Sequence, residues 1–283
     1  MSKNFLTRNL LRNCARNFPT KIAYIDGDRK ISWKETEERA KRFAQVLQNF
    51  GIKKGDAVAI LSGEHLEMCD HIFGCLMIGA VRVGINTGFS QTEIMHIIHD
   101  SNIKLILIDA SYESKFDGLV DSLLSEGRIL MGFGGNHSFP YDYHLLVSTV
   151  NTIRQYPDLY SNDVALISYT SGTTGLPKGV VVSQRAFYET IINTVLNIGL
   201  QHEDVWFNSL VNAWITIAFS IFNVANGMTV VVANGSYDII RFLEFVEKHK
   251  VTSTVLVPVM MQRIVTAYNE GVYDLSSMRL ITY

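Results

Sequence analysis

Twelve consecutive residues, Ser168 to Gly179, read SYTSGTTGLPKG and hold three glycines, five small hydroxyls and one lysine, with no carboxylate among them. That set suits a polyphosphate. Glycines let backbone N–H groups approach phosphate oxygens and take up positive φ. The hydroxyls of Ser168, Thr170, Ser171, Thr173 and Thr174 add short donors, and Lys178 sets a compact positive charge among them. Elsewhere the charge is balanced: 25 Lys and Arg stand against 27 Asp and Glu, a formal net charge of -2. No overall positive field exists to collect nucleic acid or an anionic membrane, so any anion is gripped locally.

The segment is not the loop of a P-loop NTPase. Gly172 to Lys178 keeps the interval of GxxxxGK[ST], but Pro177 stands where the second glycine belongs. Gly179 replaces the Ser or Thr that would ligate magnesium.

The elements that must hold this segment read as alternating strands and helices. VALISYT (164–170) is an apolar strand entering it, and a helix near 183–198 is predicted after it, so the context is strand, loop and helix. Upstream, IAYIDGDRKISW (22–33) reads as a hairpin around Asp26-Gly27-Asp28, and Ser32 with Glu35 forms a capping box. Ala40, Phe43, Ala44, Leu47 and Phe50 then share one helical face that stops at Gly51. AVAIL (57–61), VRVGI (81–85) and KLILI (104–108) alternate with helices near 64–78 and after Ser90, where Ser90 and Glu93 repeat the capping-box spacing. Continuous apolar strands of this kind belong to parallel sheets covered on both faces. GFGGNHSFPYDYHL (132–145) reads as a surface excursion.

Beyond residue 198 the pattern predicts helices near 212–225, 238–249 and 259–270, and strands at 228–233, 253–257 and 279–283. The fold class is therefore α/β, with layered, mostly parallel sheets flanked by helices. Two approximate lobes are expected: 58–198, carrying the phosphate loop, and 199–283 packed with 1–57.

Other chemistry-bearing residues carry less. His96 and His99 lie three apart on a predicted helix without a visible third ligand, and they read, with His65 and His71, as surface or core histidines; no metal site is assigned. Glu35, Glu37 and Glu38 suit the positive end of a helix and are given no chemistry. Cys14, Cys69 and Cys75 form no CxxC pair and read as reduced, buried thiols of a cytoplasmic protein. No charged residue occurs between Val205 and Tyr237, but asparagines and the turn dipeptide Asn226-Gly227 interrupt that stretch, so no membrane span is expected.

The pattern [YF]TSG[ST]TGxPKG, complete from Tyr169 to Gly179, resembles the phosphate-binding loop of the adenylate-forming enzymes. That superfamily comprises acyl-CoA synthetases, peptide-synthetase adenylation domains and beetle luciferases. Residues 19–61 and LMIGAVRVGIN (76–86) resemble its opening hairpin, helix and second strand segment. The resemblance implies a reaction in which a carboxylate attacks ATP, giving acyl-AMP and pyrophosphate, before the acyl group passes to the thiol of CoA or carrier-protein pantetheine. It assigns Thr170, Ser171, Gly172, Thr173, Thr174, Gly175, Lys178 and Gly179 to the β- and γ-phosphates, with Lys178 and Thr173 as the catalytic pair. It also sets Trp214 beside the carboxylate substrate. ATP and magnesium are the implied cofactors, the magnesium ligands being expected beyond residue 283.

In that family the chain continues past RLITY into an adenine-contacting loop, magnesium and ribose ligands and a smaller C-terminal domain. Residues 1–283 are accordingly expected to be an incomplete N-terminal large domain, with the C-terminal domain absent and the fragment inactive alone. VGINTGFS (83–90) departs from the family, with Gly84 and Gly88 near positions that commonly hold Pro and Arg. The acid-free stretch from Val205 to Tyr237 argues against an amino acid substrate. The leading expectation is the N-terminal portion of an AMP-forming acyl-CoA synthetase acting on an acyl or aryl carboxylate. The alternatives are a peptide-synthetase-like adenylation domain and a truncated, non-catalytic homologue that binds or scaffolds. Nucleic acid is not an expected partner, and a homo-oligomer is left open.

Overall fold

Strands that are apolar on both faces need helices on both sides, and the chain meets that demand with two sheets and three helical layers in the computed structural model. The structure describes residues 3–153, 155–170, 175–209, 216–233, 238–268 and 272–283.

The chain opens with α1 (Thr7–Asn17), the hairpin β1 (Ile22–Asp26) and β2 (Arg29–Ser32), and α2 (Trp33–Asn49). The alternation β3 (Ala57–Leu61), α3 (Leu66–Ile78), β4 (Val81–Ile85), α4 (Gln91–Asp100) and β5 (Ile103–Asp109) follows. After a 3₁₀ segment come α5 (Val120–Ser125), β6 (Ile129–Phe133), β7 (Tyr141–Asp142) and α6 (Tyr143–Thr149). Next are β8 (Val164–Thr170), β9 (Lys178–Ser183), α7 (Gln184–Ile198), β10 (Val205–Phe207) and α8 (Ile217–Ile221). The last elements are β11 (Thr229–Val232), α9 (Ile239–His249), β12 (Ser253–Val255), α10 (Pro258–Ala267) and β13 (Leu280–Thr282).

One sheet has the order β7-β6-β5-β3-β4-β8-β9, and the other β13-β12-β10-β11-β1-β2. All pairings are parallel except β1 with β2 and β8 with β9. Period-two alternation sorts the strand residues between layers. Val58 and Ile60 of β3 face the central layer, and Ala57, Ala59 and Leu61 face the α4 and α5 side. In the second sheet Trp206 faces the centre and Phe207 faces α9.

Both sheets share the central layer, and α3 is buried there along its whole length. Gly74 is where α2 comes closest: a Cβ there would stand 2.6 Å from the Phe43 ring and 3.3 Å from the backbone of Ala44. Full burial leaves the α3 carboxylates without water, and they take partners from three neighbouring elements. Glu67 receives two bonds from Arg29 of β2, at 2.6 and 3.1 Å. Asp70 receives Arg39 of α2 at 3.0 and 2.5 Å and the Tyr143 hydroxyl of α6 at 2.6 Å. Burial pushes the Glu67 carboxyl up, but the Arg29 guanidinium outweighs it and holds the group below its ordinary range.

Both sequence-predicted capping boxes are present, at Ser32 with Glu35 and at Ser90 with Glu93. Three expectations need correction. The segment 168–179 does not run from strand to helix; it joins β8 to an antiparallel β9, and the helix begins only at Gln184. Three consecutive valines, Val180 to Val182, favour the strand, and its mostly exposed side chains gave no apolar alternation to read. The stretch 132–145 is only partly an excursion, because Phe139 and Tyr143 are buried and Tyr141–Asp142 pairs with β6. Within 212–225 the described residues form the short α8 and a 3₁₀ turn, Phe222–Ala225.

Replacing Asp70 by Ala strips Arg39 and Tyr143 of their shared acceptor, and a buried pair broken on one side costs about 3–5 kcal/mol; urea unfolding measures it. A Tyr143→Phe change, which leaves the ion pair intact, is expected to lose much less. A second expectation concerns acid. Burial pushes the Asp204 carboxyl up, but bonds from Arg279, the Gln201 amide and Thr252 bring it below its ordinary value. A carboxyl depressed in the folded state stabilises above its unfolded pKa, and that stability fades as pH falls through the folded one. Arg279→Ala should therefore remove about 1 kcal/mol at pH 7, since Arg279 is partly exposed, and flatten the acid limb of a stability–pH profile below about pH 4.

Candidate active site

The glycine- and hydroxyl-bearing segment lies at the carboxyl end of β8, where the chain reverses into the edge strand β9. Thr170 pairs with Lys178 across the roots of the turn, and both are exposed. Ser171, Gly172, Thr173 and Thr174 lie outside the described residues, so of the eight assigned positions the structure describes Thr170, Gly175, Lys178 and Gly179. Gly175 has φ +118° with open space around its α-carbon, a conformation that L side chains rarely adopt. Gly179 meets a different demand. A Cβ there would stand 2.9 Å from Ile167 Cγ2 and 3.1 Å from Tyr169 Cζ, so glycine lets the two strands close around the tyrosine ring.

Tyr169 is buried, and its hydroxyl donates to Asp100 Oδ2 at 2.5 Å. Burial first, and the Asp100 carboxylate second, push the phenol up to about 12, so it stays protonated and donating at neutral pH. On the other root, His96 Nε2 lies 3.0 Å from the Pro177 carbonyl oxygen. A carbonyl can only accept, so Nε2 carries the proton. His96, Asp100, Leu176, Pro177, Lys178 and Gly179 line a surface cleft of about 500 Å³. The sequence weighed His96 only against a shared metal with His99. The two have different partners, His99 pairing with Glu126 at 3.2 Å. The signal that would have found the contact is the four-residue spacing of His96 and Asp100, which places them on one face of α4.

The remaining histidines stay apart from the turn's contacts. His65 pairs with Asp109 at 3.3 Å, and His71 is fully buried in the central layer. Among the described residues no group of three or more His, Cys, Asp or Glu side chains could hold a metal ion. Nor is any helix among them long and apolar enough to cross a membrane.

A second cleft, of about 750 Å³, opens along α7. Thr190, Asn193, Thr194 and Asn197 supply its polar wall, and Phe219, Val255 and Tyr283 its apolar one. The opposite face of α7, with Phe187, Ile191 and Val195, is buried in the central layer. Ser183 ends β9 and caps α7 by accepting from the Ala186 amide, so one helix ties the β8–β9 hairpin to this cleft. Trp214, assigned to the carboxylate side, lies outside the described residues.

Comparison with known proteins bears on the family and the fold. A 2-succinylbenzoate–CoA ligase of Bacillus licheniformis is 30% identical over 258 residues, 90% of this chain and 50% of that protein. The O-succinylbenzoate coenzyme A synthetase of Bacillus subtilis, solved in complex with AMP, superposes with TM-score 0.81 at 26% identity, over 96% of this chain and 53% of that one. A fatty acyl CoA synthetase of Mycobacterium tuberculosis shares the fold, with TM-score 0.89 at 22% identity, over 99% of this chain and 55% of that one. The chain thus spans about half the length of the curated relatives it matches. The model of the AMP-binding enzyme family matches residues 11–283, and the chain belongs to that family.

Proposed function

We propose that the protein activates a carboxylic acid with ATP, forming an acyl-AMP and pyrophosphate, and then passes the acyl group to a thiol, that of CoA or of carrier-protein pantetheine. The observation that carries this reading is the β8–β9 turn, where Thr170 and Lys178 face each other across exposed roots and Gly175 holds a positive φ. Attack on the α-phosphorus moves negative charge onto the departing pyrophosphate. Donors already fixed in place act most strongly where charge develops, one such donor contributing roughly 3–4 kcal/mol.

Lys178 and Thr173 are the residues proposed to act on that charge, with Thr170, Ser171, Gly172, Thr174, Gly175 and Gly179 completing the cradle for the β- and γ-phosphates. The cleft along α7 is the proposed seat of the acid, with Trp214 proposed at its border. Its apolar wall favours an aryl or acyl carboxylate, in keeping with relatives named as 2-succinylbenzoate–CoA ligases. Magnesium would accompany ATP as part of the substrate, with ligands supplied from outside these residues, and the cytoplasm is the proposed location.

Residues 1–283 are proposed to form the N-terminal part of a large domain that does not turn over substrate by itself. On that reading ATP binds this chain weakly, and a submicromolar affinity by calorimetry would contradict it. Titration with ATP, followed through the amide resonances of Gly175 and Gly179, should move both. Lys178→Ala should weaken the affinity at least tenfold, about 1.4 kcal/mol. Gly175→Ala should do the same through the backbone. In the whole protein, pyrophosphate exchange screened over aryl, fatty and amino acids should respond to the first two classes. A response confined to amino acids would favour a peptide-synthetase-like adenylation domain instead.

A further inference from the structure

We propose that α4 clamps the phosphate-binding turn and sets its pose, with His96 and Asp100 as positioning residues. This rests on the assignment of that turn to phosphate. The turn hangs on an outermost strand: among the described residues β9 pairs with β8 alone, and Lys178 to Val181 are exposed. β8 is also held by β4, whereas β9 has a ladder on one side alone and is the freer of the two to move. Two side chains of α4 oppose that motion, one at each root. Asp100 accepts from the Tyr169 hydroxyl at 2.5 Å on the incoming strand. His96 donates to the Pro177 carbonyl at 3.0 Å just before the outgoing one.

The two grips differ in kind. The tyrosine bond is charge-assisted and its ring is buried, so it fixes the depth of β8 against α4. The histidine bond holds a main-chain carbonyl, which orients the peptide between Pro177 and Lys178 and so the direction from which Lys178 leaves the backbone. Together they triangulate the roots from a third element that takes no part in the β8–β9 ladder.

The position of Asp100 adds an independent argument. It is the last residue of α4, where the helix macrodipole is negative and an acidic side chain is disfavoured. His99, which suits that end, already pairs with Glu126. A carboxylate placed against the local field is expected where it serves something else, and the Tyr169 hydroxyl is what it holds. Asp100 also lines the same cleft as Lys178, so it contributes a negative charge beside a site meant for anions. That placement is unfavourable for binding unless the carboxylate is needed to hold the tyrosine.

Amide hydrogen exchange on the nucleotide-free chain tests the clamp directly. His96→Ala and Tyr169→Phe, the latter keeping the ring that packs on Gly179, should each speed exchange of the amides from Gly175 to Val181 at least tenfold. Exchange in β3 and β5 should stay as it is. His96→Gln, whose side-chain amide can still donate, should restore the wild-type rates. Unchanged rates at the turn in both variants would overturn the proposal, as would an equal rise across the whole sheet, which would mark general destabilisation. ATP titration supplies the second arm: affinity should fall in step with the rise in exchange. Faster exchange with undiminished affinity would overturn the role in positioning. If the wild-type chain shows no ATP response at all, the phosphate assignment fails, and the exchange rates still decide whether α4 clamps the turn.

Discussion

A helix buried along its whole length between two sheets is the constraint that the rest of this structure answers. Parallel strands need apolar cover on both faces, and α3 supplies it to both sheets from the middle. Such a helix cannot be amphipathic in the ordinary sense, because it has no face toward water. Its polar residues must then be neutralised by groups brought to them. Glu67 and Asp70 draw in Arg29 from the hairpin, Arg39 from α2 and Tyr143 from α6. The same carboxylates therefore fix where three surrounding elements sit. Asp26 extends the arrangement, bonding Arg29 on one side and accepting the Leu66 amide at 3.0 Å on the other, which caps α3 itself.

Rigidity placed in the centre frees the periphery for chemistry. The candidate phosphate turn is at the sheet edge farthest from β7, and its described flanks, Thr170, Gly175, Lys178 and Gly179, are exposed. A buried turn would have to satisfy every amide internally and would have none left for an anion. An exposed one keeps its donors but loses precision. The Tyr169–Gly179 packing and the two contacts from α4 recover some of that precision at the roots. The mildly negative net charge fits the same logic, since attraction generated by a few local donors does not need a positive surface.

Much of this was legible in the residues. Capping boxes at Ser32 and Ser90 carry their own geometry, and continuous apolar strands demand two-sided cover, so the α/β class and most elements could be read directly. The phosphate segment stood out because its residue types have few other uses together. What escaped reading were features that depend on partners distant in sequence. The strand β9 shows no alternation, since an edge strand half in water need not have any, and only its pairing with β8 reveals it. His96 looked like a stray histidine because Pro177, its partner, lies 81 residues away. The pairing of Asp70 with Tyr143 spans 73 residues and was equally invisible.

The helix α7 joins the β8–β9 hairpin to the second cleft. Its buried face belongs to the central layer, while its polar face lines the cleft proposed for the acid, and its capping serine is the last residue of the hairpin proposed for phosphate. A reaction between a carboxylate and a bound nucleotide gains most when both are held at a fixed separation, because the entropy of bringing them together is then already lost on binding. A helix is the stiffest connection the chain can make, and this one is pinned by Phe187, Ile191 and Val195 over about two turns. Motion at the hairpin and motion at the cleft are therefore not independent. A disturbance of β9 that shifts Ser183 alters the start of α7, and with it the polar wall that the acid would meet.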